Sequence, residues 1–170
     1  MPGSHGWWQF DSRRLDDDIR AISQAFPSLN PVDGNAGIGW RGVLPLWPFE
    51  RPAPVEFNSD VPGLEVLLLF PQSYPMTIPD LYPMNPMPEL VERTQHRWHV
   101  NGDGSLCVIQ EQRTWTGRES VVDLLVKAAG WRLEYGLVQA DIVAEMTENG
   151  IVSSTERDRQ IGEFYGKPTR

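Results

Sequence analysis

Thirteen of the fifteen prolines in this 170-residue chain fall between Pro27 and Pro88. Proline inside a helix removes a backbone donor and clashes with the preceding turn, so this stretch must be built of strands and extended loops. Within it, Gly39 to Trp47 and Glu56 to Phe57 read as weak strands, and Gly63 to Phe70 as a strong one stopped by Pro71. The connections are too short for helical crossovers. An antiparallel meander of about four strands is therefore the simplest assembly.

Helical spacing brackets that region. From Asp11 to Phe26, apolar residues recur at Leu15, Ile19, Ile22 and Phe26, one helical stripe. Asp16, Asp17 and Asp18 lie near its N-terminal end, where the helix dipole favours negative charge, and Pro27 forbids continuation. A second helix is predicted over Arg118 to Tyr135 through Val121, Leu124, Leu125, Ala128 and Leu133. Two shorter ones are predicted to follow. One covers about Gln139 to Glu148 and is ended by Gly150; the other starts at the capping-box pair Ser153 and Glu156 and runs toward Tyr165. Met1 to Gly6 has the small, polar look of a cloning scar and is left out of the fold expectation. The expectation is an α+β domain over residues 7–170: an N-terminal helix, a four-stranded antiparallel meander, then helices on one side of the sheet, with a C-terminal helical extension from about residue 137.

Charge and hydropathy exclude several classes of function. A net charge of -8, from 15 basic against 23 acidic residues, opposes the counterion displacement on which phosphate-backbone binding depends, and an acidic lipid surface is disfavoured for the same reason. No nucleic acid and no membrane partner is expected. The longest apolar run, Val66 to Phe70, is far too short to span a bilayer, and the N-terminus lacks a secretory pattern, so a cytoplasmic protein is expected. The single cysteine, Cys107, allows neither an intramolecular disulfide nor a cysteine-rich zinc knuckle. His96, His99 and Cys107 could supply three zinc ligands, but a fourth is missing, so no metal is expected. Asn101-Gly102-Asp103-Gly104 lacks the bidentate glutamate of a calcium loop and reads as a tight turn. Trp40, Trp47, Trp115 and Trp131 read as core or interface volume, whereas the pair Trp7-Trp8 could dock a partner.

Two blocks of residues carry a likeness. Phe70-Pro71-Gln72-Ser73-Tyr74-Pro75 with Pro79 is one; His99-Val100-Asn101, Gly104-Ser105-Leu106-Cys107-Val108 and Trp115 before a helix form the other. In this order, behind an N-terminal helix, they resemble the ubiquitin-conjugating enzymes, with their Phe-Pro-x-x-Tyr-Pro-x-x-Pro segment, His-Pro-Asn tripeptide and Gly-x-Ile-Cys-Leu active-site segment. The likeness spans roughly Ser12 to Tyr135. Val100 stands where that family usually has proline, and the shortened Asn-Gly-Asp-Gly-Ser-Leu-Cys loop looks more like the bacterial relatives, some of which are encoded in antiphage operons.

The resemblance implies that fold, and a transferase that accepts a protein C-terminus on Cys107 as a thioester from a ubiquitin-activating-like enzyme, then passes it to a lysine amine. ATP is spent upstream and no cofactor is bound. In the bacterial systems the conjugated partner is a cGAS-like nucleotidyltransferase, related to the cyclic GMP-AMP synthases, or a ubiquitin-like protein. It also implies that His99 shapes the loop and Asn101 steadies the tetrahedral intermediate.

The residues suit this chemistry without the name. The thiolate is intrinsically very nucleophilic, and exchange between thioesters asks for positioning more than for a strong base. Amine attack then develops negative charge on a carbonyl oxygen, which the side-chain amide of Asn101 could stabilise, while Asp103 or Glu111 could accept the proton. A non-catalytic adaptor that binds ubiquitin-like proteins, and a cysteine hydrolase using Cys107 with a histidine, are the competing readings.

Overall fold

The computed structural model describes residues 6–34, 37–109 and 115–166. After a 3-10 turn at Trp7–Gln9, helix α1 spans Ser12–Ala25, opened by Asp11, whose side chain accepts from the backbone N–H of Arg14 at 3.0 Å. Ile22 and Phe26 of the predicted stripe are buried, Leu15 is half-buried, and Ile19 stays exposed. Asp18 is buried, unlike its neighbours Asp16 and Asp17. It is 5% exposed, because it takes a hydrogen bond from Tyr74 and pairs with Arg14 one turn earlier.

Four antiparallel strands follow in meander order: β1 (Asn30–Gly34), β2 (Gly37–Val43), β3 (Glu65–Leu69) and β4 (Asp80–Asn85). The register sets Trp40 opposite Leu68 and Leu68 opposite Leu81, a buried row across the sheet, with Val66 and Pro83 in the next row. The predicted strand over Gly39 to Trp47 ends early, at Val43, and Phe57 makes only an isolated bridge to Gly166.

Past the sheet come two 3-10 turns, Glu92–Thr94 and His96–Trp98, and then α2 (Val121–Gln139) and α3 (Asp158–Phe164). Ser120 caps α2, which is buried nearly all round. The helix predicted at Gln139 to Glu148 is absent: α2 runs through Gln139, past the expected extension boundary near 137, and the chain then turns through Asp141 with φ of 55°. The predicted capping box at Ser153 and Glu156 does not start α3 either; the helix begins at Asp158, with Arg157 at its N-cap. Val143, Met146, Ile151, Ile161 and Tyr165 join α1, the sheet and α2 in one apolar core.

At the other end, Gly6 is packed beneath the ring of Trp8; the rest of the segment set aside as a scar, residues 1–5, lies outside the described residues. Trp7 is buried against Phe70 and Tyr74, at ring-centre distances of 5.7 and 4.7 Å, and is a core residue rather than a docking surface. Among the described residues, no helix is long and apolar enough to cross a membrane.

Candidate active site

Cys107 ends a short hairpin whose geometry follows from its sequence. His99 closes the preceding 3-10 turn in the left-handed region, φ 48°, and its carbonyl then accepts from the Cys107 N–H at 2.9 Å. Val100 and Leu106 pair across the hairpin and point into the core. The tip is a turn in which Gly104 N–H donates to the Asn101 carbonyl at 2.9 Å. Gly104 has φ of 91°, a conformation side chains rarely adopt, which accounts for a glycine there. Leu106 N–H donates to the Leu81 carbonyl at 2.7 Å and fastens the hairpin to β4.

The three sequence-predicted site residues differ in their surroundings. Cys107 is half-buried, with Sγ 3.9 Å from the Ile109 carbonyl, and burial pushes its thiol above the ordinary value. His99 is held below the usual imidazole value by burial and by His96, whose ring centre lies 5.6 Å away, with Glu145 opposing in part. Asn101 is exposed at the hairpin tip; its Nδ2 donates to Ser105 Oγ at 3.0 Å, and Ser105 in turn donates to Asp103 from its hydroxyl at 2.7 Å and from its N–H at 2.9 Å.

Those two bonds from Ser105 hold the Asp103 carboxyl below the usual range, helped by Arg93. Asp103 is therefore an anchor of the turn and a poor proton acceptor, contrary to one of the two expectations for that role. The other, Glu111, lies outside the described residues. The structure brings forward Asp80 instead, at the start of β4. Burial and the nearby Asp103 charge push its carboxyl above the usual range, and it lines a cleft of about 280 Å³ together with Asn101, Cys107 and Trp115. Its sequence signal was slight: Asp80 is the only charged residue between Phe70 and Pro88.

A second cleft, of about 570 Å³, also reaches Cys107 and is lined by it with His99, Lys127, Trp131, Met146 and Glu148, among others. Its wall is fixed by Trp131 Nε1, which donates to the Trp98 carbonyl at 2.8 Å, and by the buried Glu134, which accepts from the N–H and hydroxyl of Thr147 at 2.9 and 3.0 Å. Cys107 thus sits where two open clefts meet.

The Phe70 to Pro75 block supports the site from behind. Tyr74 stacks on Phe70 at 4.3 Å, and its hydroxyl accepts from Arg14 and donates to Asp18 at 2.6 Å. Arg14 also reaches the carbonyls of Gly117 and Glu119, at 2.7 and 2.9 Å, and Trp115 Nε1 donates to the Pro75 carbonyl at 2.8 Å. The segment that leads from the site into α2 is thereby tied to α1 and to the Tyr74 turn. Among the described residues, no group of three or more His, Cys, Asp or Glu side chains is placed to hold a metal ion. No protein-family model, curated protein or solved structure matches the chain.

Proposed function

We propose that the protein is an acyltransferase of the ubiquitin-conjugating type, with the corresponding fold, that carries a protein C-terminus as a thioester on Cys107 and delivers it to a lysine amine. The observation that carries this reading is the half-buried thiol at the junction of two clefts, open to a flexible donor tail on one side and to an amine on the other. In the loading step the Cys107 thiolate attacks the donor's thioester carbonyl, the activating enzyme's thiolate departs, and the thiol proton passes to solvent. In the transfer step a neutral amine attacks, the C–S bond breaks, and an amide is left on the target.

Asn101 spends one Nδ2 hydrogen on Ser105 and keeps the other for the oxyanion of the tetrahedral intermediate. His99 shapes the hairpin and remains neutral. Asp80, with its raised carboxyl, takes the proton that the amine sheds. No cofactor enters. The resemblance of the Asn101 to Cys107 loop to bacterial relatives supports antiphage defence in the cytoplasm as the setting, with an activating enzyme as partner. The donor is then a cGAS-like nucleotidyltransferase or, as the alternative, a bacterial ubiquitin-like protein. One observation favours a second reading, a non-catalytic adaptor: burial raises the thiol where a reactive cysteine is commonly lowered.

Incubation with a ubiquitin-activating-like enzyme, ATP and the donor should give an adduct that thiols cleave, and Cys107→Ser should turn it into a reductant-resistant ester. Tight binding of the donor with no adduct decides for the adaptor. Asp80→Asn should load normally and discharge to free lysine on the order of a hundredfold more slowly in a single-turnover assay, the scale of a lost general base. An unchanged discharge rate removes Asp80 from the mechanism.

A further inference from the structure

Only two of the 15 basic residues in the sequence are lysines, Lys127 and Lys167; the others are arginines. For a chain that carries an activated acyl group the difference is chemical. A guanidinium stays protonated and accepts no acyl group, whereas a lysine amine attacks a thioester once it is neutral. Lys167 lies outside the described residues. Lys127 stands in the second turn of α2 and lines the larger cleft beside Cys107. It is half-buried, and no hydrogen bond or ion pair joins its side chain to another described residue.

The two carboxylates of that cleft do not claim it. Glu134 is taken up by Thr147 and lies 3.8 Å from Arg157, and Glu148 is an exposed rim residue. Trp131 and Met146 add apolar surface to the wall, beside the polar His99 and Asn149. An amine held in the same cleft as a thioester reacts as an intramolecular neighbour, which replaces the search for a second molecule by a short reach along one side chain.

We propose that Lys127 is an acyl acceptor within the same chain: an acyl group loaded on Cys107 moves to Lys127 Nζ. The inference rests on the reading of Cys107 as an acyl carrier. The neutral Nζ attacks the thioester carbonyl, an N–C bond forms, the C–S bond breaks, and the departing Cys107 sulfur takes up the proton that the nitrogen loses. The products are an amide on Lys127 and a regenerated thiol, with no oxidant or cofactor. Because the amide-linked chain then occupies the cleft that leads to the thiol, self-acylation obstructs reloading and limits an enzyme that finds no target.

The test uses the full chain and a fluorescent glycyl-peptide thioester of mercaptoethanesulfonate, followed over time on gels with and without reductant, with peptide mapping by mass spectrometry. The expected result is a reductant-labile adduct on Cys107 that converts to a resistant one on Lys127. Lys127→Arg, whose unfolding curve should match the parent, should keep the labile adduct and lose the resistant one by about tenfold or more, as expected when an intramolecular acceptor is removed. Lys167→Arg should behave as the parent. A labile adduct that never converts, or a resistant one that maps elsewhere or survives in Lys127→Arg, overturns this inference and leaves Cys107 as a carrier. Absence of any labile adduct removes both.

Discussion

Burial around Cys107 acts on reactivity in two directions: it raises the thiol and so thins the thiolate, yet a thiolate formed from a more basic thiol is the stronger nucleophile. The rate of alkylation by iodoacetamide should therefore keep rising with pH beyond the midpoint of a small free thiol measured in parallel. A midpoint lower than that of the reference thiol would contradict the burial argument. At His99 the effect is on stability. Its imidazole is lowered in the folded chain, by burial first and His96 second, against Glu145. Between the folded value and the ordinary 6.5 the unfolded chain binds more protons, so the contribution is complete above pH 6.5 and is lost as pH falls through the folded value. His99→Asn tolerates the left-handed backbone and should flatten the decline in urea midpoint below pH 6.5. An unaltered decline would assign it to other groups. That Cys107, His99 and Asn101 lie around one turn was legible because all three fall inside a motif. Asp80 and Asp18 were not, because what distinguishes them is burial by residues distant in sequence.

Among the elements, those missed in the sequence share a cause. β1 contains Pro31 and β4 contains Pro83, and each proline removes a ladder donor, which argues against a strand. Both strands lie at the outer edges of the sheet, where a missing donor costs least. The helix expected over Gln139 to Glu148 is replaced by a turning segment in which Val143 and Met146 are two buried points, held by Met146 N–H on the Arg97 carbonyl and Thr147 on Glu134. The helix α1 was legible from its stripe, though its attachment to the site was not. Arg14, Asp18 and Tyr74 join α1 to the segment before α2, and Tyr74→Phe removes the one hydroxyl that satisfies both partners. With Asp18 and Arg14 left short of a partner, that change should cost about 1–3 kcal/mol in denaturant unfolding. A loss within error would mean that water replaces the hydroxyl.

For the whole molecule, the decisive matter is whether the chain beyond α2 is an appendage or part of the fold. Val143, Met146, Ile151, Ile161 and Tyr165 are buried in the same core as the sheet. Arg51, in the loop between β2 and β3, donates to the carbonyls of Ile151, Val152 and Ser154 and pairs with Asp158 at 2.8 Å. Glu134, inside α2, depends on Thr147 and Arg157 from beyond it. Each large apolar side chain contributes about 1.5–3 kcal/mol on burial, so losing all of those in this segment is comparable with the roughly 5–15 kcal/mol net stability of a domain. A chain ended at Ala140 should therefore lack a cooperative thermal transition, whereas Arg51→Ala in the full chain should keep one at a lower temperature. The same truncation strips Met146, Glu148, Asn149 and Gly150 from the larger cleft, so any thiol left accessible should react like that of an unfolded peptide. If the shortened chain instead melts cooperatively within a few degrees of the full one, the last helix is separable, and the cleft beside Cys107 has only a loosely attached wall.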